Sequence, residues 1–307
     1  MDGVLVVDKP SGPTSHDVVR WARRALGTRE VGHAGTLDPM ATGVLVLGVG
    51  EGTKLLPFLM ADEKEYETTL ALGAETDTLD ADGVIVERAP IAPLDREAVE
   101  RAAASFVGCS VQRPPVFSAI KRGGVALYER VRRGEQVEAP EREVICRSIE
   151  VLRIEPDAIV LRVACGKGFY VRSLGRDLAR ALGTRGHLRA LRRTRSGPFT
   201  VAAALPGAVL RAAYDGDLAA RERVVGGLLP LARAVEGLGT LCVDARAARD
   251  LRHGRPTPAK KPARDPIAVL GPEGELVAIA RWTEGQLEVV RGFRSDVSGQ
   301  REGRVGA

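Results

Sequence analysis

The chain has 307 residues, a length that suits one large hydrophobic core and one small one, since single cores stop growing at about 250–300 residues. Its 44% hydrophobic and 28% charged residues exclude a disordered chain, and the lack of any uninterrupted apolar run near about 18 residues excludes membrane-spanning helices. The formal net charge of +5 and a pI near 9.2 are compatible with a polyanionic partner but do not require one.

In chain order, Val4 to Val7 reads as a short buried strand stopped by the turn Pro10-Ser11-Gly12-Pro13. Thr14 then reads as a helix N-cap with Asp17 three positions on. Val18, Trp21, Ala22 and Ala25 repeat at helical spacing until Gly27 ends the run. Arg20, Arg23 and Arg24 fall off that apolar stripe and face water or phosphate. Val44 to Leu47 makes a further buried strand, and Lys64 to Leu72 alternates as a half-exposed strand does. Ile149 to Ile154 and Ala158 to Ala164, around Glu155-Pro156-Asp157, read as an antiparallel hairpin, and Ser173 to Leu182 reads as helical. Strands and helices do not alternate regularly, so the expected class is α+β with a mixed, largely antiparallel central sheet.

Between Asp177 and Asp215 the sequence holds no acidic residue, whereas Arg180, Arg185, Arg189, Arg192, Arg193, Arg195 and Arg211 all fall there. The expectation is a local positive field. Beyond about Gly237 come short strands broken by turns, Ile267 to Leu270, Leu276 to Ala280 and Leu287 to Val290. The loop Arg252 to Arg264 carries five basic residues, three prolines and no acid, a composition that resists packing and can lie along phosphates. From about Ser295 the chain reads as a loose tail.

Several motifs fail as chemistry. Thr78-Leu79-Asp80-Ala81-Asp82-Gly83 has Thr78 at the first position of a calcium loop and Ala89 at the twelfth, where a bidentate Glu is needed. Gly48 to Lys54 has glycines but neither the P-loop nor the dinucleotide spacing. His16, His33, His187 and His253 are too dispersed for a metal cluster, and no serine sits in a nucleophile elbow. Cys109, Cys146, Cys165 and Cys242 form no Cys-x-x-Cys pair and are expected to be reduced and buried. The first ten residues lack a basic segment ahead of an apolar one, so the expected location is the cytoplasm. No metal and no cofactor are expected.

A carboxylate remains. On spacing alone, Asp38-Pro39 reads as an ordinary turn. The run Gly32-His33-Ala34-Gly35-Thr36-Leu37-Asp38-Pro39-Met40-Ala41-Thr42-Gly43-Val44-Leu45, however, closely resembles the nucleophile motif of TruB-type tRNA pseudouridine synthases. Val7 to Gly12, Lys64-Glu65-Tyr66, Thr76 to Gly83, Pro114 to Lys121 and Gly168 to Ser173 follow in the family's order.

The resemblance implies a catalytic unit over residues 1–236, a small β-rich PUA-like RNA-binding unit over 237–294 and a flexible tail over 295–307. It implies isomerisation of uridine to pseudouridine at position 55 in the T-loop of tRNA, on a base flipped out of the loop. Asp38 would be the nucleophile, Arg172 its partner, and Tyr66 a residue that stacks on the base and handles a proton. His33, Tyr170, Leu191 and Asp80 would contact the substrate, and Lys121, with the arginines from 185 to 195, would contact phosphates. The partner expected is tRNA, taken by a monomer with no obligate protein partner. The alternative is a non-catalytic RNA-binding or tRNA-folding protein that keeps the pocket.

Overall fold

The computed structural model describes residues 1–60, 63–118 and 120–294, without the side chains of residues 121, 122, 126, 128 and 132. The expected tail from Ser295 lies outside the described residues. The principal strands of the larger sheet are β1 (Gly3–Lys9), β2 (Val31–His33), β3 (Thr42–Val49), β4 (Lys64–Leu72), β5 (Gly108–Gln112), β6 (Arg142–Glu155), β7 (Ala158–Cys165) and β8 (Gly186–Ser196). They run in the order β1-β3-β8-β4-β7-β6-β5, with the short strand Leu205–Pro206 outside β1 and β2 paired to β3. Pairing is parallel between β1 and Leu205–Pro206 and between β3 and β8, and antiparallel along the rest of that order. The sheet is therefore mixed and largely antiparallel, as the irregular alternation of elements implied.

The apolar runs of β1 and β3 are continuous because both faces of these strands are covered. Leu5, Val7, Leu45, Leu47 and Val49 enter one core with the helices α1 (Ser15–Leu26), α2 (Arg96–Ala104), α3 (Val171–Ala181), α4 (Gly207–Asp215) and α5 (Leu218–Gly226). Val4, Val6, Val44 and Val46 point the other way, against Leu55, Leu59, Phe199 and Leu231. The period of two along a strand sorts one run of sequence into two cores.

Helix α1 is capped as its sequence predicts. Thr14 Oγ1 accepts from Asp17 N at 3.1 Å, Asp17 Oδ2 accepts from Thr14 N at 2.9 Å, and Gly27 closes the helix at φ 64°. The hairpin read from 149 to 164 is longer than expected, since β6 starts at Arg142. Register shifts between Cys146 and Ser148 and between Val151 and Arg153 break the strand's alternation and hid its first half. Cys146 and Cys165 face each other across β6 and β7 and are buried. Cys109 and Cys242 are exposed, contrary to expectation, and all four are free. Burial raises the Cys146 and Cys165 thiols to about 11 and about 12, so neither is a thiolate at neutral pH.

Toward the C-terminus, β9 (Thr240–Cys242), β10 (Thr257–Pro258), β11 (Ile267–Leu270), β12 (Leu276–Thr283) and β13 (Gln286–Gly292) form a second sheet in the order β9-β11-β12-β13-β10. A helix absent from the sequence reading, α6 (Ala245–Arg252), seals it with Ala248 and Leu251 against Val269, Val277 and Leu287. Ala268, Ile279 and Phe293 reach back to the core beneath β1 and β3. No helix among the described residues is long and apolar enough to cross a membrane.

Candidate active site

The site forms where β3 and β8 meet in parallel. Thr42 and Gly43 lie beside Arg192 and Arg193, and the two backbones come so close that a Cβ on Gly43 would sit 2.2 Å from Arg193 O. Gly43 also has φ +101°, a conformation L side chains rarely adopt. The loop that carries Asp38 is fixed from several sides. Ser15 Oγ donates to Leu37 O at 3.0 Å and accepts from Leu37 N at 2.8 Å. Lys9 Nζ and Gly12 N both donate to Pro39 O, at 3.1 and 2.9 Å. Arg193, fully buried, donates to Gly35 O at 3.1 Å and to Val44 O at 2.6 Å. A flexible glycine-rich segment is thereby held in one conformation.

Asp38 opens on a cavity of about 310 Å³ lined also by Tyr66, Tyr170, Arg172, Leu191 and Arg193. Lys64, Arg142 and Lys167 stand on its wall, so the approach is cationic. Arg172, in the first turn of α3, is 4% exposed, and its Nη2 donates to Asp38 Oδ1 at 3.0 Å. Its Nε lies 2.9 Å from Asp38 Oδ2, an ion-pair contact off the hydrogen-bonding direction. The same guanidinium donates to Thr78 O at 2.7 Å and to Phe117 O at 3.0 Å, and lies 3.3 Å from Asp80 Oδ2. Five acceptor atoms from three separate segments leave it little freedom to rotate.

The turn from Thr76 to Gly83 supplies two of those acceptors at a cost. Leu79, buried, has φ 63°, an arrangement worth about 1–3 kcal/mol of strain for a branched residue. Thr78 Oγ1 bonds Asp80 Oδ1 at 2.6 Å, and Leu188 N donates to Leu79 O at 3.0 Å, which holds the turn against β8. The start of α3 is pinned in the same way, with Gln112 accepting from Tyr170 N at 2.8 Å and donating to Tyr170 O at 3.1 Å.

Electrostatics follow from this packing. Burial pushes the Asp38 carboxyl above the ordinary carboxylate range; the Arg172 guanidinium opposes that, Asp80 adds to it and Lys9 pulls against it. Asp38 keeps 31% of its side-chain surface, so the carboxylate is reachable from the cavity. Burial lowers Lys9 to about 8, close enough to neutrality to titrate near working pH. Burial also raises the Tyr66 phenol, against the pull of Arg193, so Tyr66 is a neutral hydroxyl at pH 7. Tyr170 is raised for the same reason, and the Arg142 guanidinium lies 5.7 Å above its ring.

Of the residues singled out from sequence, the cavity therefore brings together Asp38, Tyr66, Tyr170, Arg172 and Leu191. His33 does not line it; the ring packs edge-on against His16 at 5.5 Å between centroids, and burial lowers it to about 4, so it is neutral at working pH. Asp80, expected on the substrate, is 4% exposed and sits behind Arg172, off the cavity lining. The Lys121 side chain lies outside the described residues.

The expected positive field from 180 to 211 is largely neutralised by acids distant in sequence. Arg180 pairs with Glu75 at 2.9 Å, Arg185 with Glu87 at 2.7 Å, Arg189 with Asp157 at 2.9 Å, and Arg192 with Asp8 at 2.8 Å. Arg193, expected among the phosphate-contacting arginines, is instead 1% exposed and spends its donors on Val44 O and Gly35 O, and sequence reasoning missed Lys9 and Ser15. Lys9 and Ser15 lie in or beside the quoted segment Val7 to Gly12, but a buried charge has no periodicity to reveal it.

Comparison with known proteins places the chain. Residues 23–171 match the model for the N-terminal domain of TruB family pseudouridylate synthases, 172–236 a tRNA pseudouridylate synthase B C-terminal domain, and 239–294 a tRNA pseudouridine synthase II C-terminal model. The chain is 44% identical over 299 residues to tRNA pseudouridine synthase B of Thermobifida fusca, covering 94% of this chain and 97% of the relative. It is likewise 44% identical over 279 residues to that of Aromatoleum aromaticum, covering 91% and 88%. Among solved structures, the crystal structure of a Cbf5-Nop10-Gar1 complex superposes with a TM-score of 0.72 at 28% identity, covering 95% of this chain and 85% of the other.

These matches define the class, an enzyme of the intramolecular isomerase type that makes pseudouridine. The chain belongs to the TruB family of tRNA pseudouridine synthases.

Proposed function

We propose that this enzyme converts the uridine at position 55, in the T-loop of tRNA, to pseudouridine, with Asp38 as the nucleophile acting on a base flipped into the cavity. The observation that carries this reading is the carboxylate itself: reachable, held by a rigid loop and paired with a buried guanidinium at the floor of a cavity of about 310 Å³.

The reaction breaks the bond between N1 of uracil and C1′ of the sugar, turns the base and joins C5 to C1′. C5 gives up its proton and N1 gains one, so atoms balance without any redox partner. An ionised carboxylate suffices to hold the intermediate. A base still stacked in a folded loop is out of reach, so it is extruded into a pocket of apolar and aromatic side chains. Tyr66 and Tyr170 supply those faces. Being neutral, Tyr66 relays a proton as a hydroxyl and does not act as a standing phenolate. Arg142 and Lys167, on the cavity wall, are the cations that would meet phosphates flanking the flipped nucleotide and position the RNA without reading its sequence.

The residues from 239 to 294 are assigned as an RNA-binding unit that works with the catalytic sheet, on the strength of the C-terminal family match. The reading is tested by incubating the enzyme with unmodified total tRNA and mapping new pseudouridines by chemical labelling. One site in the T-loop is expected. Conversion elsewhere, with the T-loop untouched, overturns the target, and no conversion at all overturns the reading.

A further inference from the structure

Helix α1 leads away from the catalytic loop, and its exposed face is basic. Ser15, at its start, clamps Leu37 beside Asp38. His16, Arg20 and Arg24 are exposed and spaced four residues apart, so they form one stripe along the helix, about 12 Å from first to last. The stripe runs into a shallow groove of about 480 Å³ lined by Arg20, Arg23, Arg24, Arg29 and Tyr214, with no acidic residue in its lining.

This groove differs from the other arginine-rich surface in one respect. The arginines from 180 to 192 are mostly held by carboxylates, whereas Arg23, Arg24 and Arg29 have no ion-pair partner among the described residues, and Arg20 alone pairs, with Asp17 at 2.8 Å. The groove is also ordered in advance. Arg24 and Arg211 both lie over the Tyr214 ring, at 4.9 and 5.3 Å, and Arg23 Nη2 donates to Val31 O at 2.9 Å. Arg221 comes within 3.8 Å of the place a Cβ on Gly27 would occupy, adding a further guanidinium at the rim. The carbonyl end of α1 opposes this charge in part, but Gly27 N and Thr28 N already bond its last carbonyls.

Uncompensated guanidinium groups in a concave, partly fixed array match phosphate geometry bidentately. Building on the reading that this enzyme acts on tRNA, we infer that the α1 stripe and groove form a second anchoring site for the phosphodiester backbone of the substrate RNA, separate from the cavity around Asp38. The site binds backbone and not base edges, so it contributes affinity and orientation without sequence preference. Its role is to hold the RNA at a second point while the target base leaves its stack.

The test uses the full chain carrying Arg20→Gln, Arg24→Gln and Arg29→Gln together, and a control carrying Arg101→Gln, Arg153→Gln and Arg233→Gln, which removes the same charge from exposed arginines elsewhere. Binding of an unmodified tRNA transcript is measured as a function of salt, and pseudouridine formation is followed in the same samples. The groove variant is expected to bind roughly tenfold more weakly, with the slope of log K against log salt reduced by about two to three, as expected for loss of three phosphate contacts. Its loss of rate appears in KM and is recovered at saturating RNA. Unchanged binding and slope in the groove variant, or an equal loss in the control, overturns the inference. Failure of the wild-type enzyme to form pseudouridine would count against the activity reading instead, because the binding measurements stand apart from turnover.

Discussion

At the scale of single residues, the Arg172 guanidinium opposes the burial that raises the Asp38 carboxyl, while 31% of that side chain stays open to the cavity. Arg172→Lys keeps the charge but loses the planar fork that spans Asp38, Thr78 O and Phe117 O, so kcat should fall about 10²-fold in a protein that still folds. Single-turnover rates check this, and a loss confined to KM would contradict it. The pH dependence has two limbs. In the proposed mechanism Asp38 acts ionised, and because its pKa is raised, kcat/KM should fall as pH drops through a value above the ordinary 3.8 of aspartate. Lys9, at about 8, loses a proton on the alkaline side and with it part of its grip on the carbonyls of Pro10, Pro13 and Pro39, so activity should decline above pH 8. The stability signs differ from the activity signs. The folded-state pKa of Lys9 lies below its ordinary 10.5, so the unfolded chain binds more protons between the two values, and this group's contribution to stability rises from pH 8 to 10.5 while activity falls. Activity that stays flat to pH 9 would contradict the Lys9 role. Asp38 stood out in the sequence because it sits in a long specific motif, whereas Lys9 went unnoticed and Arg193 was assigned to phosphates, because the importance of both lies in which carbonyls they meet after folding.

Among the elements, the parallel junction of β3 and β8 sets the geometry of the site, and Gly43 is its tightest point. Gly43→Ala would combine a disfavoured φ with a Cβ 2.2 Å from Arg193 O, a change expected to cost at least about 3 kcal/mol. A thermal melt lowered by several degrees is the expected result, and an unchanged midpoint would show that the junction can open without loss. Much of the element pattern was legible. The α1 cap, the two-faced strands β1 and β3 and the β6–β7 hairpin all follow from capping chemistry and apolar spacing. The first half of β6 and helix α6 were not legible, the one because bulges break its alternation and the other because its apolar stripe is only Ala248 and Leu251.

Over the whole molecule, charge is distributed in a way that a linear reading inverts. The acid-free stretch from Asp177 to Asp215 looks like the RNA-facing surface, yet most of its arginines fold onto Glu75, Glu87, Asp157 and Asp8, while Arg23, Arg24 and Arg29 beside α1 have no carboxylate partner among the described residues. Sequence distance says nothing about which acids arrive from other strands, so composition fixes the net charge but not where it stays unpaired on the surface. The second sheet is tied to the first by Phe293, 4% exposed, with Lys54 Nζ 5.8 Å from its ring centroid. Phe293→Ala should cost about 3–5 kcal/mol and separate the unfolding of the C-terminal sheet from that of the rest in calorimetry; a single unshifted transition would contradict that coupling. The central claim is tested most directly by Asp38→Asn on unmodified tRNA, with binding and pseudouridine yield measured together. The variant keeps an amide of nearly the same size beside Arg172, so it should fold. It should bind tRNA as the wild type does and form pseudouridine at least about 10⁴-fold more slowly; a variant that folds, binds and still converts the T-loop uridine at the wild-type rate would contradict the assignment of Asp38 as the nucleophile.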